Sequence, residues 1–162
     1  IVMKLTAVLK LIAACVLCLA VGFIGSLFTT SESLSIWYAG LNKPFFNPPD
    51  WLFGPVWTTL YILMGISVFL IWQKGTNKPP VKLAVSWFVV QLILNGLWTP
   101  VFFGLHLPAI AFIEILLLWL AIIFTINSFR IISMPAALLL VPYLLWVTFA
   151  SILNASLWLL NR

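Results

Sequence analysis

Four long stretches of this chain carry no charged residue: 11–30, 51–73, 83–113 and 131–161. A helix needs about 20 apolar residues to cross the hydrocarbon layer of a membrane. Each stretch is long enough, and the third runs past Glu114 into a further apolar segment. Polar and proline-bearing breaks divide the pattern into five helices, expected near 5–27, 51–73, 81–104, 107–129 and 134–159. Lys43-Pro44 and Asn47-Pro48-Pro49-Asp50 stop any helix before Trp51, because proline lacks a backbone donor and restricts the residue before it. Lys74-Gly75-Thr76-Asn77-Lys78-Pro79-Pro80 makes a short polar turn. Gly104-Leu105-His106-Leu107-Pro108 splits the long third run, and Arg130 with Ser133-Met134-Pro135 separates the last two helices. The pattern predicts an all-α membrane protein, a five-transmembrane-helix bundle in one domain over residues 1–162.

Composition agrees: 64% of residues are hydrophobic and 7% charged, against about 25% charged in a soluble domain. Lipid must cover such a surface. The first helix is not expected to be a cleaved signal peptide, since 20–26 opens no soluble domain. The formal charge of +5 follows topology, and no basic stripe with interleaved aromatics points to nucleic acid. With five spans, the N-terminal side carries Lys4, Lys10, Lys74, Lys78, Lys82 and Arg130, and the other side only Lys43 and Arg162. That imbalance puts the N-terminus in the cytoplasm of a bacterial inner membrane.

The connection 28–50 is the only long one. Its aromatics and prolines (Trp37, Tyr38, Pro44, Phe45, Phe46, Pro48, Pro49) suggest a segment that folds back as a lid rather than a flexible linker. No internal repeat supports an inverted-repeat transporter.

Trp87, Gln91, Asn95, Trp98 and Phe102 recur at steps of three and four, which aligns them on one helix face. Trp57, Tyr61 and Gly65 form a second such stripe, and Trp146, Ala150, Asn154 and Trp158 a third, with Tyr143 nearby. At about 1.5 Å per residue, Trp57 and Trp98 lie roughly 9 Å inside the membrane and Tyr61 and Asn95 deeper. These residues share the half of the bundle beneath 28–50. They describe an aromatic-walled cavity with a few amides, suited to a flat hydrophobic ligand. Against this stand interfacial anchoring, which accounts for Trp37, Trp51, Trp72 and Trp158, and core packing for Trp57, Trp98, Trp119 and Trp146. Gln91, Asn95 and Asn154 can equally bond neighbouring helices.

Glu114 inside an apolar span marks a functional site by default. Without a cation in a matching span it is expected to be a neutral or hydrogen-bonded interhelical contact. Cys15 and Cys18 have C-x-x-C spacing but no strand–helix context for a redox motif. They read as small apolar residues, and Ala14, Cys18, Gly22 and Ser26 form a ridge for close packing within the bundle or in a dimer. His106, the single histidine, reads as a solvated loop residue, with haem ligation as the alternative. No metal and no resident cofactor are expected, and no nucleophile–base pair or phosphate loop supports hydrolytic or transfer chemistry.

Three blocks then carry a resemblance. They are Trp37-Tyr38-x-x-Leu41-x-Lys43-Pro44-x-x-x-Pro48-Pro49-x-Trp51-x-Phe53-x-Pro55-Val56-Trp57-Thr58-x-Leu60-Tyr61, Asn95-x-x-Trp98-Thr99-Pro100-x-Phe102-Phe103-Gly104, and Pro142-Tyr143-x-x-Trp146-x-x-Phe149-Ala150-x-x-Leu153-Asn154. The chain resembles the TspO/MBR family of tryptophan-rich sensory proteins and translocator proteins (peripheral benzodiazepine receptors). The resemblance implies a five-helix bundle, usually homodimeric, that binds porphyrins such as haem and protoporphyrin IX, and in many members sterols and benzodiazepine-site drugs. It implies tetrapyrrole transport or sensing, or light-dependent breakdown of protoporphyrin. Carried over by motif, the ligand-binding positions are Phe45, Phe46, Trp57, Tyr61, Asn95, Trp98, Trp146, Ala150 and Asn154. Trp57 and Trp146 match the tryptophans to which porphyrin degradation is attributed, and would be catalytic if it occurs. Phe45 and Phe46 stand where some relatives have tryptophan, which implies weaker stacking by the lid. Ala155 replaces the tyrosine of the animal sterol motif, so sterol binding through that motif is not expected.

Overall fold

Prolines set where the helices begin and where they fail. Pro79 with Pro80 and Pro108 sit in first turns, where a missing N–H costs nothing. The computed structural model describes residues 4–162 and has five helices long and apolar enough to cross a membrane. They are α1 (Leu5–Ser26), α2 (Phe53–Trp72), α3 (Pro79–Thr99), α4 (Pro108–Ile132) and a fifth span made of α5 (Met134–Leu139) and α6 (Val141–Leu160).

The fifth span is broken where the apolar pattern predicts one helix. Pro142 has no N–H to offer one turn back, and Leu140 instead bonds the Ala137 carbonyl at 3.1 Å. Ser133 caps α5 by accepting from the Ala136 amide. Pro100 likewise ends α3 in a π-helical turn, Pro100–Gly104, closed by Leu105 N–H to the Pro100 carbonyl at 2.9 Å.

The 28–50 segment is partly helical, over 31–40, with a π-helical core Ser33–Tyr38. Three ties hold it to the bundle. Ser33 Oγ donates to the Phe103 carbonyl at 2.7 Å. The Asn42 amide donates to Asn161 Oδ1 at 2.8 Å, and Asn161 Nδ2 returns a bond to the Asn42 carbonyl at 3.0 Å. Lys43 Nζ closes the end of the helical stretch on the Tyr38 carbonyl at 2.7 Å, a favourable place for a cation.

From its middle to its lysine-bearing end, the bundle is filled by buried side chains and close backbone contact. A Cβ placed on Gly65 would sit 2.6 Å from Cys15 Cα, so α1 and α2 touch backbone to backbone there. The small-residue ridge is therefore spent within the bundle: Ala14 and Cys18 are buried, and Gly22 makes room for the Tyr61 ring. The ridge turns before its end. Gly25, not Ser26, is buried, against Thr99 of α3. Ser67 Oγ donates to the Ala136 carbonyl at 2.7 Å, tying α2 to α5. Phe88 and Phe129 stack at 6.0 Å between α3 and α4.

Candidate functional site

The other half of the bundle encloses a cavity of about 630 Å³, within the range of small-molecule sites. Its walls come from α1, α2, α3, α4, α6 and the 28–50 segment. Trp57, Tyr61, Asn95, Trp98, Trp146, Ala150 and Asn154 all line it. The steps of four in the sequence thus converge in space from α2, α3 and α6. Phe45 and Phe46 do not line it: Phe45 is 101% exposed, and Phe46 packs edge-on against Phe149 at 6.2 Å.

A hydrogen-bond chain runs beneath and beside the cavity. Tyr61 O–H donates to Asn95 Oδ1 at 2.6 Å, Asn95 Nδ2 donates to the Tyr143 hydroxyl at 2.8 Å, and Tyr143 O–H donates to Gln91 Oε1 at 2.9 Å. This chain joins α2, α3 and α6. Higher up, Trp98 Nε1 donates to Asn154 Oδ1 at 3.0 Å, and Asn154 Nδ2 donates to the Pro108 carbonyl at 2.8 Å. The amides therefore bond between helices. Each such bond also fixes a cavity wall, since Tyr61, Asn95, Trp98 and Asn154 all face the void.

The aromatic rings are set at fixed angles. Trp98 stacks on Phe102 at 4.8 Å, Phe53 meets Trp146 edge-on at 6.0 Å, and Trp57 meets Tyr143 edge-on at 6.2 Å. Trp146 Nε1 is buried and has no hydrogen-bond partner among the described residues. A buried donor left unpaired is costly, and here it belongs to a cavity-lining residue. The site thus offers aromatic faces with a few fixed polar groups between them, a match for a flat molecule. From the 28–50 segment, Tyr38 reaches the wall and donates to Asn47 Oδ1 at 3.2 Å. Burial, chiefly, raises its phenol above the ordinary value, so it remains a neutral donor.

Other candidates lie elsewhere. Trp87 shares the helical step of the α3 stripe but stacks on Phe124 of α4 at 4.7 Å, away from the cavity. Trp119 donates to Thr148 Oγ1 at 2.8 Å. Both carboxyl oxygens of Glu114 are buried without a partner among the described residues, so of the two forms expected, neutral or hydrogen-bonded, the hydrogen-bonded one is not formed. Cys15 and Cys18 are free thiols in α1. His106 is exposed, stacks on Trp37 at 4.3 Å and approaches Ser33 Oγ at 3.2 Å. It does not line the cavity. No metal-holding group of His, Cys, Asp or Glu occurs among the described residues.

Several lining residues fall outside the three sequence stripes. Phe53 extends the Trp57–Tyr61 step by one turn and is open to the same argument. Of the α1 residues, Gly22 and Ser26 belong to the small-residue ridge, read above as a packing face, and Leu19 and Phe23 beside it carry no polar signal.

Comparison with known proteins is consistent with this arrangement. The model of the TspO/MBR family matches residues 14–159. The chain is 48% identical over 151 residues to the tryptophan-rich protein TspO of Chlorobaculum tepidum, covering 93% of this chain and 95% of the relative. It is 48% identical over 155 residues to the protein of the same name from Archaeoglobus fulgidus, covering 95% and 98%. It is 42% identical over 139 residues to the human translocator protein, covering 84% and 80%.

Proposed function

The chain belongs to the TspO/MBR family, and on that premise we propose that it binds porphyrins, haem or protoporphyrin IX, in the aromatic cavity, as a carrier, scavenger or sensor. The observation that carries this reading is the cavity itself: about 630 Å³ between fixed aromatic faces. A tetrapyrrole is flat, apolar over its faces and rich in acceptors at its rim. The names of the relatives, tryptophan-rich protein and translocator protein, support a sensory or transport role. Benzodiazepine-site drugs are flat aromatic carbonyl compounds and suit the same walls, whereas Ala155 argues against a sterol. The protein acts in a membrane, with its N-terminus cytoplasmic in a bacterial inner membrane and as a homodimer. The segment 28–50 covers the ligand through Leu34 and Tyr38, which line the cavity.

A second reading is light-dependent oxidation of protoporphyrin, with electrons supplied by Trp57 and Trp146. Both indoles line the one cavity, and indole needs no acid–base pair for this. Titration of the purified protein with protoporphyrin IX in the dark and under illumination, beside Trp57→Phe, separates the two readings. A carrier or sensor binds saturably and forms no photoproduct. An enzyme bleaches the porphyrin, and Trp57→Phe binds it without bleaching. Bleaching at the parental rate by that variant removes Trp57 from the chemistry.

A further inference from the structure

The cavity's wall is uneven in exposure, and the unevenness has a direction. Lining residues on α3, α4 and α6 are buried or half-buried. Every exposed one, Phe23, Ser26, Leu34, Asp50, Gly54 and Thr58, lies on α1, α2 or the segment joining them. The opening therefore runs between α1 and α2. Resting on the porphyrin reading above, we infer that the ligand enters and leaves sideways from the bilayer, through a slit between these two helices.

The packing explains why a slit forms there. Below it, α1 and α2 are locked at Gly65 and Cys15, and again at Gly22 and Tyr61. Above Tyr61, α1 lies against α3: a Cβ on Gly25 would be 3.7 Å from Thr99. On the α2 side of the gap, a Cβ on Gly54 would meet nothing within 4 Å. The two helices form a V that closes toward the lysine-bearing end.

The lips suit an apolar molecule. Phe23 is 66% exposed and faces what would be lipid. The hydroxyls on the lips are turned back onto their own helices: Ser26 Oγ donates to the Phe23 carbonyl at 2.7 Å, and Thr58 Oγ1 to the Gly54 carbonyl at 2.9 Å. Neither needs water, so a ligand passing them strips no hydration from a polar group. The upper rim is different. There Tyr38, held by Asn47 and Lys43, narrows the cavity beside the charged, exposed Asp50. A flat ligand already dissolved in the bilayer avoids re-exposing its faces to water, a cost that grows with the area exposed.

The test is the exchange kinetics of protoporphyrin IX with the full chain in lipid nanodiscs, followed by porphyrin fluorescence. Gly54→Trp and Ser26→Trp fill the slit from opposite lips, and near-UV circular dichroism reports which of them fold. Association and dissociation should both slow by at least about tenfold in a folded variant. Parental rates in either folded variant overturn the slit. A second measurement needs no variant: porphyrin mixed in from buffer should be bound by the parent only after it has partitioned into lipid, a step timed in parallel on empty nanodiscs. Binding that outruns partitioning overturns lateral entry. Absence of saturable binding by the parent is a different result, and it removes the porphyrin reading together with the route.

Discussion

The two halves of this bundle are built by opposite means from the same helices. At the lysine-bearing end, α1 and α2 meet backbone to backbone at Gly65, and Met64, Ile71, Val81 and Ala84 fill the interior. At the other end, large aromatics stand between the helices, and amide and indole hydrogen bonds span the distance: Tyr61 to Asn95, Asn95 to Tyr143, Trp98 to Asn154. Small residues let helices close up without a hydrophobic driving force, which lipid does not supply. Long polar bridges do the reverse, holding helices at a set separation around a void. The closed half is the fulcrum of the α1–α2 V, and the open half is the site.

That contrast can be broken from either side. The largest effect is expected in the closed half. Gly65→Leu forces a side chain into Cys15 and should cost about 1–3 kcal/mol of stability, seen as a lowered Tm in detergent. Gly54→Ala, in the open half with free space at its Cβ, should leave Tm unchanged or raise it. Equal losses at the two glycines would contradict the comparison. Next comes Asn95→Leu, which strips partners from the hydroxyls of Tyr61 and Tyr143. Its expected cost is about 1–2 kcal/mol, by thermal or denaturant unfolding in detergent, together with weakened porphyrin binding as the wall loosens.

Trp146→Phe keeps an aromatic face and removes part of the wall. Porphyrin affinity should fall by roughly fivefold to tenfold, from the aromatic contact area lost; unchanged affinity would mean the ligand does not pack on that ring. The smallest effect belongs to Asp50 on the exposed rim. Asp50→Asn removes repulsion from a dicarboxylate porphyrin and should tighten binding by about twofold at low salt, an effect that added salt erases.

The five spans are legible in the sequence because a charge-free run as long as a membrane helix has few places to go but lipid, and because proline marks its own breaks. The break at Leu140 is not legible, since Pro142 lies inside one unbroken apolar run. The helical stretch at 31–40 is hidden by a short, mixed run of serines and aromatics. For the site, helical spacing finds the α2, α3 and α6 walls, because residues three and four apart share a face whatever that face meets. Spacing cannot tell that Trp87, one turn beyond Gln91, has passed out of the cavity and onto Phe124. On α1 spacing finds the small-residue ridge, but nothing in it separates a packing face from a cavity wall. Phe45 and Phe46 enter by resemblance alone, and both lie outside the cavity lining.

The central claim is that the open half holds the ligand. Ala150 lines the cavity from α6, and Ala150→Phe fills it from within while leaving the closed half untouched. Titration of the parent with protoporphyrin IX, read by tryptophan quenching, should saturate at about one ligand per chain, and Ala150→Phe should lose saturable quenching at an unchanged Tm. Quenching by the folded Ala150→Phe with the parent's affinity would contradict the account, because the porphyrin would then be bound somewhere other than this cavity.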